Sequence, residues 1–268
     1  MAAEFTDFEP WMTRWRLEPD GEPFASPFGS RFLPVVWRRE AAMLKVAVHP
    51  EERRGGAVMA WYRGGGAARV FAHDDVAVVL ERLEGPRSLE AMARGGEDEA
   101  ACRILCEMVG KLQAPREPPL PDVLVPIDRW FRALWPTAER LGGVYDLAAG
   151  LARELLAEPE PAVVLHGDLH HSNVLDGGAG GWRAIDPKGV LGHRGFDYAN
   201  QLCNPDAQVA IANLEARLAI TAEVSGLPRE RLLAWLVAYL GLSAAWTLSI
   251  DGDPWQALAI AEAARRLR

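Results

Sequence analysis

Near residue 85 the hydrophobic pattern of this chain changes period, and few folds accommodate such a change. Before it, short β-rich runs at 14–17, 31–37, 42–48 and 76–83 are separated by Gly, Pro, Asp and Ser, the pattern of strands joined by turns. One helix is expected among them, at 51–63, with acidic residues at its start and Gly64-Gly65-Gly66 as its stop. Gly55-Gly56 inside it argues the other way, since each glycine costs about 1 kcal/mol relative to Ala. From Glu97 the apolar spacing becomes helical: Ile104, Leu105, Met108, Val109 and Leu112 recur at three- and four-residue steps across 97–113. Further helices are expected at 127–141, 144–157, 211–224, 229–249 and 255–267. Gly85-Pro86 marks a hinge. The expected architecture is α+β: a lobe over 1–84 with an antiparallel sheet and one helix, then a mainly helical lobe over 85–268. The Pro-rich stretch 115–121 reads as a stiff surface connection.

One segment of the second lobe breaks the helical period. Residues 163–187 read as strand, polar loop, short strand, Gly-rich turn and strand. A polar loop clamped between short buried strands presents chemical groups rigidly. In the loop, His166-Gly167-Asp168-Leu169-His170-His171-Ser172-Asn173 sets an acid and an amide five residues apart. Further on, Asp186 ends the apolar strand Ala184-Ile185-Asp186-Pro187. Phosphoryl transfer needs such an inventory. A carboxylate must orient the attacking hydroxyl and accept its proton, while hard oxygen donors hold Mg²⁺ against the phosphates. Asp168 suits the first role, and Asn173 and Asp186 the second.

Phosphates also need a cation. Lys45, in Met43-Leu44-Lys45-Val46, is the only lysine of the first 110 residues, on a strand whose alternation turns every second side chain inward. An inward ammonium requires a carboxylate partner. Glu52, on the helix that follows, is the leading candidate, with Glu51 its rival by position.

Together, Lys45, Glu52, His166-x-Asp168-x-x-x-x-Asn173 and Asp186 resemble the aminoglycoside phosphotransferase branch of the protein-kinase-like superfamily. Within it the chain is similar to the streptomycin 6-phosphotransferase and hydroxyurea phosphotransferase family, over roughly residues 14–267. The resemblance implies a bilobal protein-kinase-like fold, with ATP and Mg²⁺ as cofactors and a cationic small-molecule acceptor such as streptomycin. It makes Asp168 the base or hydroxyl-orienting residue and Asn173 and Asp186 the Mg²⁺ ligands, and it has Lys45, paired to Glu52, grip the α/β-phosphates. The backbone at Glu81-Arg82-Leu83 becomes the hinge that meets adenine, His166 holds the loop, and Asp197 braces it from the following helix. The chain departs from its relatives in lacking G-x-G-x-x-G between its first strands. Ser26-Pro27-Phe28-Gly29-Ser30 stands there instead, and Ser30 becomes a phosphate-side donor.

Composition narrows the partners. Lys+Arg of 29 against Asp+Glu of 37 gives a net charge of −8, which repels nucleic acid and favours cations. No stretch approaches 18 uninterrupted apolar residues and the start has no basic segment before an apolar run, so a cytoplasmic protein without membrane contact is expected. Cys102 and Cys106 share a helix face without a second ligand pair and read as core thiols. His166, His170 and His171 lack the further ligand blocks of a dinuclear metal site. Trp130 and Trp135 read as core or pocket wall, and Asp206, Glu215, Asp251 and Asp253 as solvated acids or cation holders. Two rival functions stay open: a kinase for another hydroxylated metabolite or hydroxyurea, and a non-catalytic nucleotide sensor. Intact Lys45, Asp168, Asn173 and Asp186 argue against the sensor.

Overall fold

The computed structural model describes residues 4–27 and 29–268; Phe28, in the loop assigned to phosphates, lies outside the described residues. In chain order the first elements are α1 (Glu9–Trp15), β1 (Glu18–Pro19), β2 (Phe24–Ala25), β3 (Arg31–Trp37), β4 (Glu40–Val46), α2 (Pro50–Tyr62), β5 (Val70–His73) and β6 (Ala77–Glu81). There follow α3 (Leu89–Arg94), α4 (Asp98–Leu112), β7 (Val125–Pro126), α5 (Ile127–Trp130), α6 (Leu134–Leu141), α7 (Val144–Ala157), β8 (Val163–Leu165), β9 (Val174–Asp176) and β10 (Trp182–Ala184). The chain continues with β11 (Val190–Gly192), α8 (Gly195–Gln201), α9 (Ala207–Ser225), α10 (Arg229–Ser249) and α11 (Trp255–Arg266). They form two compact units. The first is Met1–Pro86 with Pro115–Leu124 and Leu175–Gly189; the second is Arg87–Ala114, Val125–Val174 and Val190–Arg268.

The first unit is built on an antiparallel sheet in the order β1-β3-β4-β6-β5, with β2 also on β3. Alternation along β4 sends Ala42, Leu44 and Val46 into a core with Leu33, Val35 and Val79, against which Trp11, Met12 and Trp15 of α1 pack. Met43 and Lys45 therefore point to the opposite face. The strand expected at 14–17 is a correction: α1 runs through Trp15 and Arg16 closes it in the left-handed region (φ 52°). Pro10 near the helix start and the helical spacing of Trp11, Met12 and Trp15 override the local alternation.

Helix α2 forms through both of its glycines. A Cβ on Gly55 would lie 2.5 Å from the Pro187 carbonyl oxygen, so the helix accepts the propensity cost to bring its backbone against 186–188. Gly85 is equally constrained, because a Cβ there would fall 2.2 Å from Asp176 Cγ.

In the second unit α10 is the central helix, buried from Leu232 to Leu242 on nearly every side and packed by α7, α8 and α11. By length and apolarity it meets the test for a membrane span, but its apolar window is two-thirds buried, as in a core helix. The helix expected over 127–141 is instead α5, a 3₁₀ turn at Phe131–Ala133 and α6. Trp130, half-buried, packs edge-on to Phe196 and Trp246, and Cys102 and Cys106 are buried as core thiols beside Gln201 and Thr221.

Gly241 is where α10 meets α7 most closely: a Cβ there would sit 2.2 Å from Ala148 Cβ. Gly241→Ala is expected to destabilise the protein by about 1–3 kcal/mol through overpacking. Adding Ala148→Gly should recover part of that loss, because the two sites share one gap. Thermal denaturation of the single and double variants checks this.

Candidate active site

Each unit carries a polar cluster of its own. In the first, Lys45 faces Phe32 on β3 and Val78 on β6, with its Nζ 5.7 Å from the Phe32 ring centre. It is only 7% exposed, which demands a counter-charge. The ammonium donates to Glu52 Oε2 at 2.5 Å and pairs directly with Asp186 Oδ1. Glu52 comes from the first turn of α2, where the helix dipole favours acids, and Glu51 is exposed. Ser30 is buried and its hydroxyl donates to Glu52 Oε2 at 3.4 Å. Asp186 follows β10 with a positive φ of 63°, unusual for a non-glycine residue, and this turn aims its carboxylate at Lys45. Burial pushes the Asp186 carboxyl up, but the Lys45 and Lys188 ammoniums outweigh it and hold the group below the usual carboxylate range.

Lys188 is the member that sequence reasoning missed. Its Nζ lies 2.7 Å from Glu52 Oε1 and 3.3 Å from Asp186 Oδ2. At the end of β6, the Glu81 carboxylate accepts from Arg69 N and Nε at 2.9 and 2.8 Å, so its side chain is committed to Arg69. Leu83 is half-buried beside Gly177.

In the second unit β8 pairs antiparallel with β11, and the loop 166–173 leaves β8 directly into a clamp. Asp197, fully buried at the start of α8, accepts from His166 N at 2.9 Å, Gly167 N at 2.8 Å and Gln113 Nε2 at 3.1 Å. Burial pushes its carboxyl up to about 6, against the three donors that favour the ionised form. Gly167 takes a φ of 84°, which lets the chain turn tightly over that carboxylate. The Asp168 backbone N–H donates to His166 Nδ1 at 3.3 Å. Asn173 Nδ2 donates to the Asp168 carbonyl at 2.8 Å, which closes the loop and leaves the amide oxygen as the donor suited to a hard cation. His171 is buried with neither ring nitrogen hydrogen-bonded, and burial pushes its pKa down to about 3, so it acts as a neutral plug.

Asp168 borders a cavity of about 250 Å³ whose walls include His170, Asn200, Asn204, Tyr239 and Gln256. Asn200 Nδ2 points to Asp168 Oδ1 at 3.4 Å, a second residue that sequence reasoning missed. Asp168 is the one carboxylate in that lining. Of the acids considered as cation holders, Asp206 caps α9 and pairs with Arg94, and Asp253 accepts from the Trp255 backbone N–H at the start of α11. Among the described residues no cluster of three or more His, Cys, Asp or Glu could hold a metal. Mg²⁺ does not require one, since it takes one or two protein oxygens and completes its shell with phosphates and water.

A lysine held to a helix glutamate and a strand-end aspartate, and a loop aspartate braced by a buried aspartate, are the parts of a kinase-like phosphotransferase. The chain belongs to the aminoglycoside/hydroxyurea antibiotic resistance kinase family, whose model matches residues 14–251. It is 47% identical to a streptomycin 3''-kinase of Klebsiella pneumoniae, covering 90% of this chain and 92% of that one. It is 32% identical to a streptomycin 6-kinase of Streptomyces glaucescens (96% and 88% covered) and 32% identical to a hydroxyurea phosphotransferase of Kitasatospora aureofaciens (94% and 76%). Its fold matches that of the aminoglycoside phosphotransferase APH(4)-Ia with a TM-score of 0.66 at 15% identity, over 98% of this chain and 99% of that one.

Proposed function

We propose that the protein transfers the γ-phosphoryl group of ATP to a hydroxyl of streptomycin, with Mg²⁺. The observation that carries this reading is the convergence of Lys45, Glu52 and Asp186 on one another across 141 residues of sequence, an arrangement with a clear use in holding a triphosphate. Lys45 would bind the phosphates, with Glu52 fixing its ammonium and Ser30 fixing Glu52. Adenine would meet the backbone at Glu81–Leu83. Asp186 and the Asn173 amide oxygen would hold Mg²⁺, which neutralises charge on the phosphates. The acceptor oxygen attacks the γ-phosphorus, the bond to the β-phosphate oxygen breaks, ADP leaves, and the hydroxyl proton passes to Asp168. Asn200 would keep the Asp168 carboxylate turned to the acceptor. His166 and Asp197 would set the loop and touch no reactant.

The relatives are named for two different hydroxyls. The higher identity to the 3''-kinase makes the 3'' position the first to assay, ahead of the 6 position. Purified protein with ATP and Mg²⁺ is expected to add one phosphate to streptomycin, read by mass spectrometry, with phosphorus NMR locating the hydroxyl. Phosphorylation of hydroxyurea or an amino alcohol but not of streptomycin would overturn the acceptor and keep the kinase. ATP binding with no transfer to any acceptor would overturn the kinase.

A further inference from the structure

The chain has three lysines, Lys45, Lys111 and Lys188, among its 29 basic residues, and two of the three meet on the same pair of carboxylates. Each carboxylate uses one oxygen for each lysine. Glu52 gives Oε2 to Lys45 and Oε1 to Lys188; Asp186 gives Oδ1 to Lys45 and Oδ2 to Lys188. The result is a closed ring of four alternating charges with a net charge of zero. Without Lys188 the same ring would carry a net negative charge. A carboxylate pair with a single ammonium is a good place for a divalent cation and a poor one for a polyanion.

We infer that Lys188 is a positioning residue that balances the second carboxylate, making the site receptive to the triphosphate and restraining its affinity for free divalent metal. The inference rests on the nucleotide reading above and adds a residue to it. Two observations carry it. The side chain of Lys188 is only 14% exposed, so its charge acts on its partners through little water. The backbone that presents it is fixed, because Gly55 of α2 admits the Pro187 carbonyl where any side chain would strike it.

The charge-balance role has a signature that a packing role lacks, because the two affinities move in opposite directions. In Lys188→Met, the affinity for metal-free ATP, measured by calorimetry in EDTA, is expected to fall roughly tenfold, as loss of one unit charge a few ångströms from the phosphates implies. The affinity for Mn²⁺ without nucleotide, read by electron paramagnetic resonance, is expected to rise by roughly threefold or more for the same reason. Lys188→Arg keeps the charge and should return both affinities toward the wild type. A fall in both affinities, or no change in either, would overturn the inference, and so would a Lys188→Arg protein that behaves like Lys188→Met. If Lys188→Met fails to fold, the Arg variant still decides: a shift as large as a lost charge would produce counts against charge balance. Wild-type protein that bound neither ATP nor Mn²⁺ would overturn the nucleotide reading and this inference together. Binding by the wild type with an unmoved Met variant would overturn only the inference.

Discussion

Asp168→Ala is expected to lower kcat about 10³-fold while leaving the Kd for ATP within about twofold, the range in which loss of a positioned proton acceptor falls. The loop should survive the change. Its clamp uses the Asp197 carboxylate and the backbone N–H groups of His166 and Gly167, and Asn173 closes it on the Asp168 carbonyl rather than on the side chain alone. Asp168 is also only half-buried, so truncation opens no core cavity. The phosphate-side residues Lys45, Glu52 and Asp186 bond to one another without it, which is why nucleotide binding should persist. Steady-state kinetics with calorimetric ATP binding check both halves. Turnover near wild type would remove Asp168 from the mechanism, and a parallel loss of ATP binding would mean that it supports the nucleotide instead.

The candidate residues singled out from sequence are those that leave a local mark. Lys45 is an isolated charge in an apolar strand, Asp168 and Asn173 share one short polar loop, and Asp186 ends a strand. Each could be placed from its neighbours within a few positions. Glu52 is the leading candidate from sequence and Glu51 its rival, because both sit in the first turn of a helix; the rotation of that helix brings Glu52 to Lys45. Lys188 and Asn200 were invisible for a related reason. A lysine after Asp-Pro looks like a solvated turn residue until a glutamate 136 positions earlier is brought to it. Asn200 looks like any helical amide until α8 places it over Asp168. The return of 115–124 and 175–189 to the first unit has the same character, since packing at long range leaves no period in the sequence. The misread strand at 14–17 shows the converse: a short alternating run carries too few residues to outweigh a helix start just upstream.

The largest stability effect is expected from Asp98→Ala. Asp98, in the first turn of α4, and Arg217, on α9, are 5% and 1% exposed and face each other as a two-pronged pair. Arg217 Nε donates to Asp98 Oδ2 at 2.9 Å and its second terminal nitrogen to Oδ1 at 2.5 Å. Its remaining nitrogen donates to the carbonyls of Leu202 at 3.1 Å and Asn204 at 2.5 Å, just past the end of α8. Removing the carboxylate strands a guanidinium that cannot shed its proton, and breaking one side of such a pair costs about 3–5 kcal/mol. The loss should exceed that of Arg217→Met, because a buried carboxyl left alone can be neutralised by a proton whereas a guanidinium cannot. Asp98→Leu combined with Arg217→Met should recover much of the stability, because an apolar replacement of a buried pair is often neutral. Helix α8 also carries Asp197, so the Met variants test whether Arg217 serves folding alone. If it does, the double variant regains both stability and turnover. If it regains stability with turnover still depressed, the grip of Arg217 on the end of α8 is part of what keeps the catalytic loop in place. A cost below about 1 kcal/mol for Asp98→Ala in chemical denaturation would show that the pair is solvated in solution and sink this account.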